Sequence, residues 1–296
     1  MKKLFAVALA ALMIAGMFAG CSGSGSSETT AAPAETTAAP ETAVETTAAA
    51  ETAAAPETAV ETTAAAETAA ASMTLEAGKL LMSTNAAFPP YEMTTDDGGF
   101  AGIDVEIAGA IAEKLGLELE ILDMDFDAAL LAVQQNKSDI VMAGVSVTDD
   151  RLLVMNFSDT YTTAVQVIIV KEGSEVTADT LGDYMIGTQR GTTGNIYCTD
   201  DYGDDHVLAY DNGATAVQAL MNGQVDAVVI DSAPAEEFVA ANPGLTILET
   251  EYVTEEYAIG MNKSNTALLD AVNAALEELT ADGTVQAIID KYISAK

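Results

Sequence analysis

Residues 104–143, DVEIAGAIAEKLGLELEILDMDFDAALLAVQQNKSDIVMA, alternate between two hydrophobic periods. Apolar residues first recur every three or four positions and stop at Gly116, which predicts a helix. The next segment alternates every second residue, which predicts a strand, and a second helix capped by Asp127 leads to a short apolar strand. The predicted elements are helix 104–115, strand 117–122, helix 127–135 and strand 140–143.

A strand predicted at 80–84 precedes this stretch, so the order is βαβαβ, which is typical of a mainly parallel sheet. A second alternating unit follows further along the chain. Its predicted elements are strands 166–170, 185–188, 207–210 and 227–230, helices after Gly191 and at 213–221 and 232–241, a last strand at 257–261 and two final helices at 265–281 and 284–294.

The two final helices have no place in the second unit, so we expect them to cover the first. The chain then crosses twice between two lobes, near 160–165 and 254–257. The sequence therefore predicts an α/β fold of two doubly wound sheets joined by two hinge strands. The predicted bounds are 74–162 with 256–296 for lobe 1 and 163–255 for lobe 2.

The N-terminus reads as an export signal at residues 1–20: Lys2 and Lys3 precede a short apolar run. The run is shorter than the roughly 20 apolar residues of a membrane helix. The sequence Phe18-Ala19-Gly20-Cys21 resembles a bacterial lipobox, although phenylalanine replaces the usual leucine. The resemblance implies lipidation of Cys21 and a location outside the cytoplasm, anchored to the outer face of the cell membrane.

Residues 21–73 are interpreted as a disordered linker of Ala, Thr, Glu and Pro. The sequence APETAVETTAAAETAA at 39–54 is repeated letter for letter at 55–70, and no repeat offers an apolar face that stacks on its neighbour. Besides Cys21 the chain has one cysteine, Cys198, so no internal disulfide is expected in the lipidated chain. We interpret Cys198 as a buried core residue.

The chain has 46 acidic and 11 basic residues and a formal charge of −35. This field opposes binding to nucleic acid or to anionic lipid surfaces. No phosphate-binding glycine loop and no Cys/His metal cluster occurs in the sequence, so neither a cofactor nor a metal is expected. A monomer is expected.

One of only two arginines, Arg151, closes the run AGVSVTDDR at 143–151. A guanidinium pairs two carboxylate oxygens at once, and the hydroxyls of Ser146 and Thr148 offer further donors. The run therefore predicts a site for a small carboxylate. The alternative is a surface arginine that pairs with nearby aspartates.

Ten motifs carry a family resemblance across the body of the chain. They are NAAFPPYE (85–92), GIDV (102–105), MDFD (124–127), KSDI (137–140), AGVSVTDDR (143–151), NFSD (156–159), GTT (191–193), GQVDA (223–227), Asp231 and ADGT (281–284). In this order they resemble the family-3 extracellular solute-binding proteins, the receptors of polar amino acid ABC transporters. The resemblance implies a small amino acid ligand, a membrane-embedded ABC permease as partner, and no catalysis.

The resemblance also implies the roles of individual residues. Arg151, Ser146 and Thr192 would bind the ligand α-carboxylate. Asp231 and the Gly144 carbonyl would bind the α-ammonium, with capping of the next helix as an alternative or additional role for Asp231. The remaining expected ligand-binding residues are the aromatic walls Phe88 and Phe126 and the polar residues Asn85 and Gln189.

Asn85 and Gln189 carry no charge, which favours a neutral polar amino acid such as glutamine, with a basic one as the next choice. Any of Glu92, Asp123 and Asp125 could also reach the ligand, and we expect Arg190 to be solvated. Two other function classes stay open at this point. An enzyme on the same fold would need a poised acid or base in the cleft, and a sensor would use the same pocket for signalling.

Overall fold

The computed structural model of the chain describes residues 73–248 and 252–293. The predicted export signal, Cys21 and nearly all of the predicted linker lie outside these residues. Among the residues that are described, no helix has the length and apolar content needed to cross a membrane.

Lobe 1 begins with strands and helices in the predicted alternation. Its strands are β1 (Lys79–Thr84), β2 (Ala87–Phe88), β3 (Glu92–Thr94), β4 (Phe100–Ala101), β5 (Glu118–Asp123) and β6 (Ile140–Val141), and its helices are α1 (Ile103–Leu115), α2 (Phe126–Gln134) and α3 (Asp149–Val154). Strand β1 pairs in parallel with β5 and β6, whereas β2, β3 and β4 form a small separate antiparallel sheet.

The start of α2 differs from the prediction. The N-cap position is Asp125 rather than Asp127, and its side chain makes no capping hydrogen bond. The helix begins earlier because Phe126 packs into an apolar cluster with Val133 and Met155, and this tertiary packing outweighs the local capping preference.

Strands and helices also alternate in lobe 2. Its strands are β8 (Ile186–Gln189), β9 (Val207–Tyr210), β10 (Ala227–Asp231) and β11 (Leu245–Ile247), its α-helices are α4 (Thr193–Tyr202), α5 (Gly213–Met221) and α6 (Ser232–Ala241), and short 3₁₀ helices lie at Ala178–Asp183 and Asp204–His206. Strand β8 pairs in parallel with β9 and β10. The apolar helix faces of α5 and α6 pack onto this part of the sheet.

Two long antiparallel strands, β7 (Met155–Lys171) and β12 (Val253–Asn262), join the lobes. Their register shifts at two points, between Tyr257 and Ala258 and between Ala258 and Gly260. The strand order among the described residues is β5-β1-β6-β12-β7-β10-β8-β9, with β11 also on β7. The hinge strands extend into both lobes. Apart from β2, β3 and β4, the strands of the two lobes therefore belong to one continuous sheet, where the sequence predicted two sheets.

The C-terminal helices α7 (Thr266–Ala281) and α8 (Thr284–Tyr292) pack against α1. The Tyr292 hydroxyl donates a hydrogen bond to the Glu106 carboxylate (2.5 Å) and accepts one from the Gly102 N–H (3.2 Å). Lys114 pairs with Glu278 at 2.9 Å. Lobe 1 is therefore completed by the last part of the chain.

Gly102, the residue before α1, has a backbone that only glycine tolerates. Its φ is +130°, and a Cβ atom there would lie 2.1 Å from the Tyr91 carbonyl oxygen. We expect Gly102→Ala to lower the free energy of unfolding by about 3 kcal/mol, because strain and a backbone clash add. Urea unfolding followed by circular dichroism measures this change.

Gly109, inside α1, is the matched control, since a Cβ there would meet nothing within 4 Å. Gly109→Ala should leave stability unchanged or raise it by up to about 1 kcal/mol. Equal unfolding midpoints for the two variants would contradict the assignment of strain to Gly102.

Candidate functional site

A small cavity lies between the lobes, where parallel strands from both end. Strands β1 and β6 deliver lobe 1 residues to it, and β8 and β10 deliver lobe 2 residues, as expected for ligand sites in open α/β sheets. The cavity is lined by Asn85, Phe88, Glu92, Phe126, Ala143, Gly144, Ser146, Arg151, Gln189, Thr192, Thr193 and Asp231. All nine ligand-binding candidates from the sequence are in this set.

Arg151 is buried with a charge that no nearby acid balances directly. Its side chain is 8% exposed, and no carboxylate among the described residues lies within 4 Å of its guanidinium. Instead, Nη1 donates to the Ser146 carbonyl (2.8 Å) and Nη2 to the Gly191 carbonyl (3.1 Å). Burial lowers the pKa of Arg151, and the charge of Glu255 opposes this effect. A buried guanidinium with unused donors is suited to an anionic group.

The short helix α3 sets the position of Arg151. The Thr148 hydroxyl accepts a hydrogen bond from the Arg151 N–H (3.2 Å) and so caps the helix. The guanidinium carbon lies 5.4 Å from the centre of the Phe126 ring, within cation–π distance. Arg151 is therefore fixed at its base by a cap and along its length by an aromatic ring.

Gly144 allows an aromatic ring to approach the backbone at the cavity. Its φ is +55°, and a Cβ atom would lie 2.8 Å from Phe88 Cε1. The Gly144 N–H donates to Asp104 Oδ2 (2.9 Å), while the Tyr161 hydroxyl donates to the other oxygen (2.8 Å). Burial still raises the pKa of Asp104 to about 6. This buried acid holds the Gly144 loop in place.

Two buried carboxyl groups face the cavity without full pairing. Both oxygens of Glu92 lack a hydrogen-bond partner among the described residues, and so does Oδ1 of Asp231. Burial, reinforced by the charge of Asp104, raises the pKa of Glu92 well above its usual value. Burial raises the pKa of Asp231 to about 7. Both groups are available to a ligand that donates hydrogen bonds or carries a positive charge.

Asp231 occupies the N-cap position of α6, but its side chain makes no capping hydrogen bond. The cap position considered from the sequence is therefore correct, but the side chain does not form the capping hydrogen bond. The carboxyl group is left available because the strand end directs it toward the cavity, of which it forms part of the lining.

The lobes contact each other across the cavity. Gln189 Nε2 donates to Asn85 Oδ1 (3.0 Å), and the guanidinium of Arg151 reaches the Gly191 carbonyl. Asn85 itself donates to the Met124 carbonyl (2.9 Å). Thr192 caps α4 by accepting from the Asn195 N–H (3.2 Å), so the start of this helix is at the cavity wall. Polar groups of both lobes thus meet at one small space.

Sequence reasoning missed part of the cavity and of its surroundings. Thr193 lines the cavity, and Glu255 and Gln166 lie behind it in the hinge strands. The signal for the burial of Glu255 was its place two residues before Tyr257 in a strand, since alternate residues share a face and Tyr257 is buried.

Other candidate residues lie away from the cavity. Asp123 accepts from the Ala86 N–H (2.8 Å), and Asp125 is at the N-cap position of α2. Arg190 is half exposed, where it pairs with Asp211 (3.5 Å), so the expectation of a solvated arginine is met. Cys198 is a free, fully buried cysteine in the lobe 2 core.

Sequence comparison identifies relatives across the body of the chain. Residues 80–295 match the model of the bacterial extracellular solute-binding proteins, family 3. The L-cystine-binding protein TcyJ of Escherichia coli is 31% identical over 74% of this chain and 84% of its own. A probable histidine-binding protein of Neisseria gonorrhoeae is 31% identical over 72% of this chain and 82% of its own. The L-arginine-binding protein of Pseudomonas aeruginosa is 30% identical over 71% of this chain and 85% of its own.

Solved structures agree with these relatives. The P235GK mutant of ArgBP from T. maritima has a TM-score of 0.70 and 38% identity over 74% of this chain and 96% of its own. An ancestral arginine-binding protein bound to glutamine has the same TM-score and the same identity, and the match covers 74% of this chain and 99% of its own.

The predicted two-lobed fold is confirmed by these likenesses, and the relatives are solute-binding proteins rather than enzymes. The extracellular family agrees with the expected location outside the cytoplasm. The chain belongs to the bacterial extracellular solute-binding proteins, family 3.

Proposed function

We propose that this protein captures an amino acid between its two lobes and delivers it to the permease of an ABC transporter. The observation that carries the proposal is the buried Arg151 guanidinium, which has no carboxylate partner within 4 Å among the described residues. It lines the same cavity as Asp231, whose Oδ1 has no hydrogen-bond partner among those residues. A zwitterion supplies the missing charge at both groups.

The α-carboxylate of the ligand binds Arg151. Ser146 and Thr192 add hydroxyl groups, and the start of α4 adds the positive end of its helix dipole. Arg151 belongs to lobe 1 and Thr192 to lobe 2. The carboxylate is therefore held from both lobes, which stabilises the closed arrangement.

The α-ammonium binds Asp231 and the Gly144 carbonyl. An ammonium at this place stabilises the ionised form of Asp231, whose pKa is raised to about 7 by burial. Since these two partners also come from opposite lobes, the ligand has a higher affinity for the closed form than for an open one. This difference is what shifts a two-state equilibrium toward closure.

The ligand side chain lies between Phe88 and Phe126, both 5% exposed, and reaches Glu92, Asn85 and Gln189. Aromatic walls contribute apolar burial and cation–π contacts. Glu92 is buried and unpaired, so it favours a side chain that donates hydrogen bonds. This changes the preference drawn from the neutral Asn85 and Gln189: we propose a basic amino acid such as arginine as the first ligand and glutamine as the second.

The relatives support this choice of ligand. Their names include arginine-, histidine- and cystine-binding proteins. An ancestral arginine-binding protein has been solved with glutamine, and an ancestral arginine-binding protein has been solved with arginine, so architectures like this one accept both amino acids.

Arg151→Ala should weaken amino acid binding by about 2 to 5 kcal/mol, which is roughly 30-fold to several thousand-fold, because a desolvated carboxylate loses its partner. Titration calorimetry with L-arginine and L-glutamine measures the change. Arg190→Ala is the matched control, since the other arginine is half exposed, and should bind like the wild type. Unchanged affinity in Arg151→Ala would refute the carboxylate site.

Glu92→Gln should discriminate between the two ligand classes. We expect affinity for L-arginine to fall by about 10- to 100-fold, because a hydrogen-bonded charge pair is lost, and affinity for L-glutamine to change by less than about threefold. The ratio of the two dissociation constants is the measured quantity. Glu118→Gln, an equal charge change at an exposed site on β5, is the control. Equal losses for both amino acids would show that Glu92 does not select the side chain.

We also propose that Cys21 anchors the protein through a lipid, on the basis of the Phe18–Cys21 sequence. Cys21→Ser should move the protein from the membrane fraction to the soluble fraction and leave ligand affinity unchanged, because residues between Asn85 and Asp231 form the proposed site. Fractionation followed by immunoblotting measures this. A Cys21→Ser protein that stays with membranes would contradict the anchor.

A further inference from the structure

Glu255 is a buried acid in hinge strand β12 that lies behind the cavity and is not part of its lining. It is 6% exposed, whereas its neighbour Glu256 is exposed. A carboxylate loses favourable hydration when it is buried, so such a residue needs hydrogen bonds in compensation. The donors of these hydrogen bonds identify the elements that Glu255 connects.

Three side chains donate to one oxygen of Glu255. Oε2 accepts from Ser146 Oγ (3.1 Å), Gln166 Nε2 (2.9 Å) and Thr193 Oγ1 (2.9 Å). Ser146 follows β6 in lobe 1, Gln166 lies in hinge strand β7, and Thr193 begins α4 in lobe 2. A single oxygen atom therefore connects both lobes and both hinge strands.

Two of these donors also form the cavity wall. Ser146 and Thr193 line the cavity beside Arg151, and their hydroxyl oxygens are 3.5 Å apart. A hydroxyl group has one proton, so a bond to Glu255 fixes the direction in which each oxygen points its lone pairs. Glu255 thereby sets the orientation of polar groups at the cavity without contacting the ligand.

The charge of Glu255 also acts on the ligand-binding ions. It opposes the effect of burial on the pKa of Arg151 and adds to the raised pKa of Asp231. The Glu255 carboxylate is thus close to the proposed sites for both ends of an amino acid. Its other oxygen, Oε1, is buried and has no hydrogen-bond partner among the described residues.

We propose that Glu255 is a positioning residue: its carboxylate ties Ser146 of lobe 1 to Thr193 of lobe 2 through the hinge, and ligand affinity depends on this tie. The inference rests on the proposed amino acid site. An amide is a poorer replacement, because its neutral oxygen accepts weaker hydrogen bonds than a carboxylate oxygen does.

Glu255→Gln, Glu255→Ala and the control Glu256→Gln test this in the full chain. Calorimetry with L-arginine and L-glutamine should show affinity lowered about 3- to 10-fold in Glu255→Gln and about 10- to 100-fold in Glu255→Ala, because charge-assisted bonds are weakened or lost. Glu256→Gln should bind within about twofold of the wild type, because its carboxylate is exposed and charge effects there are screened.

Hydrogen–deuterium exchange without any amino acid gives a second readout. Amides at 146–152 and 193–197, one segment from each lobe, should exchange faster in Glu255→Gln, whereas β1 (79–84) should not change. A purely structural role would raise exchange in β1 as well. If Glu255→Ala does not fold, the affinity and exchange of Glu255→Gln alone test the proposal.

Wild-type affinity with unchanged exchange in Glu255→Gln would overturn the proposal, as would a uniform rise in exchange that includes β1. If the wild type binds neither amino acid, the proposed ligand class is wrong. The exchange comparison still decides whether Glu255 ties the lobes.

Discussion

Strands β7 and β12 pair from Gln166 and Val253 at one end to Met155 and Asn262 at the other. Every other strand of the large sheet is reached from this pair: β6 attaches to β12, and β10 and β11 attach to β7. The cavity lies beside the same pair, because the polar ends of strands from both lobes converge there. A rotation of one lobe must therefore be absorbed within this ladder, where the register shifts near Tyr257 and Ala258 interrupt regular pairing.

The electrostatics of the cavity follow from its position between lobes. One buried guanidinium, Arg151, shares the region with the carboxyl groups of Glu92, Asp104, Asp231 and Glu255, all of them buried. Buried charges are costly unless they are paired, and burial accordingly raises the pKa of three of these acids, Glu92, Asp104 and Asp231. An excess of acids over bases favours a ligand that brings positive charge. This is why the acids, more than the neutral amides, guide the choice of ligand.

The sequence predicted most of the fold, because helix and strand periods are strong in this chain. Strand Val207–Tyr210 and helices Gly213–Met221 and Ser232–Ala241 have the predicted bounds. The hinge strands were predicted too short, since their middle residues alternate only weakly and gain order from pairing across the sheet. The hydroxyl-rich run that ends at Arg151 predicted its role at the cavity, and the family resemblance implied that of Asp231. The hydrogen bonds of Glu255 could not be predicted, because its partners are distant in sequence and no local pattern reveals a bond between lobes.

Lobe 1 begins at the first described strand and ends at the last helix. Strand β6 has β1 on one side but gains its second neighbour only when β12 exists, and α1 lacks the contact of its Glu106 with Tyr292 until α8 exists. Lobe 2, by contrast, has strands β8 to β10 and helices α4 to α6 in one continuous stretch. During synthesis from the N-terminus, domains generally fold in the order in which they emerge. Here the lobe whose strands are made first is finished last, so lobe 1 gains its full set of native contacts only after almost all of the protein has been synthesised.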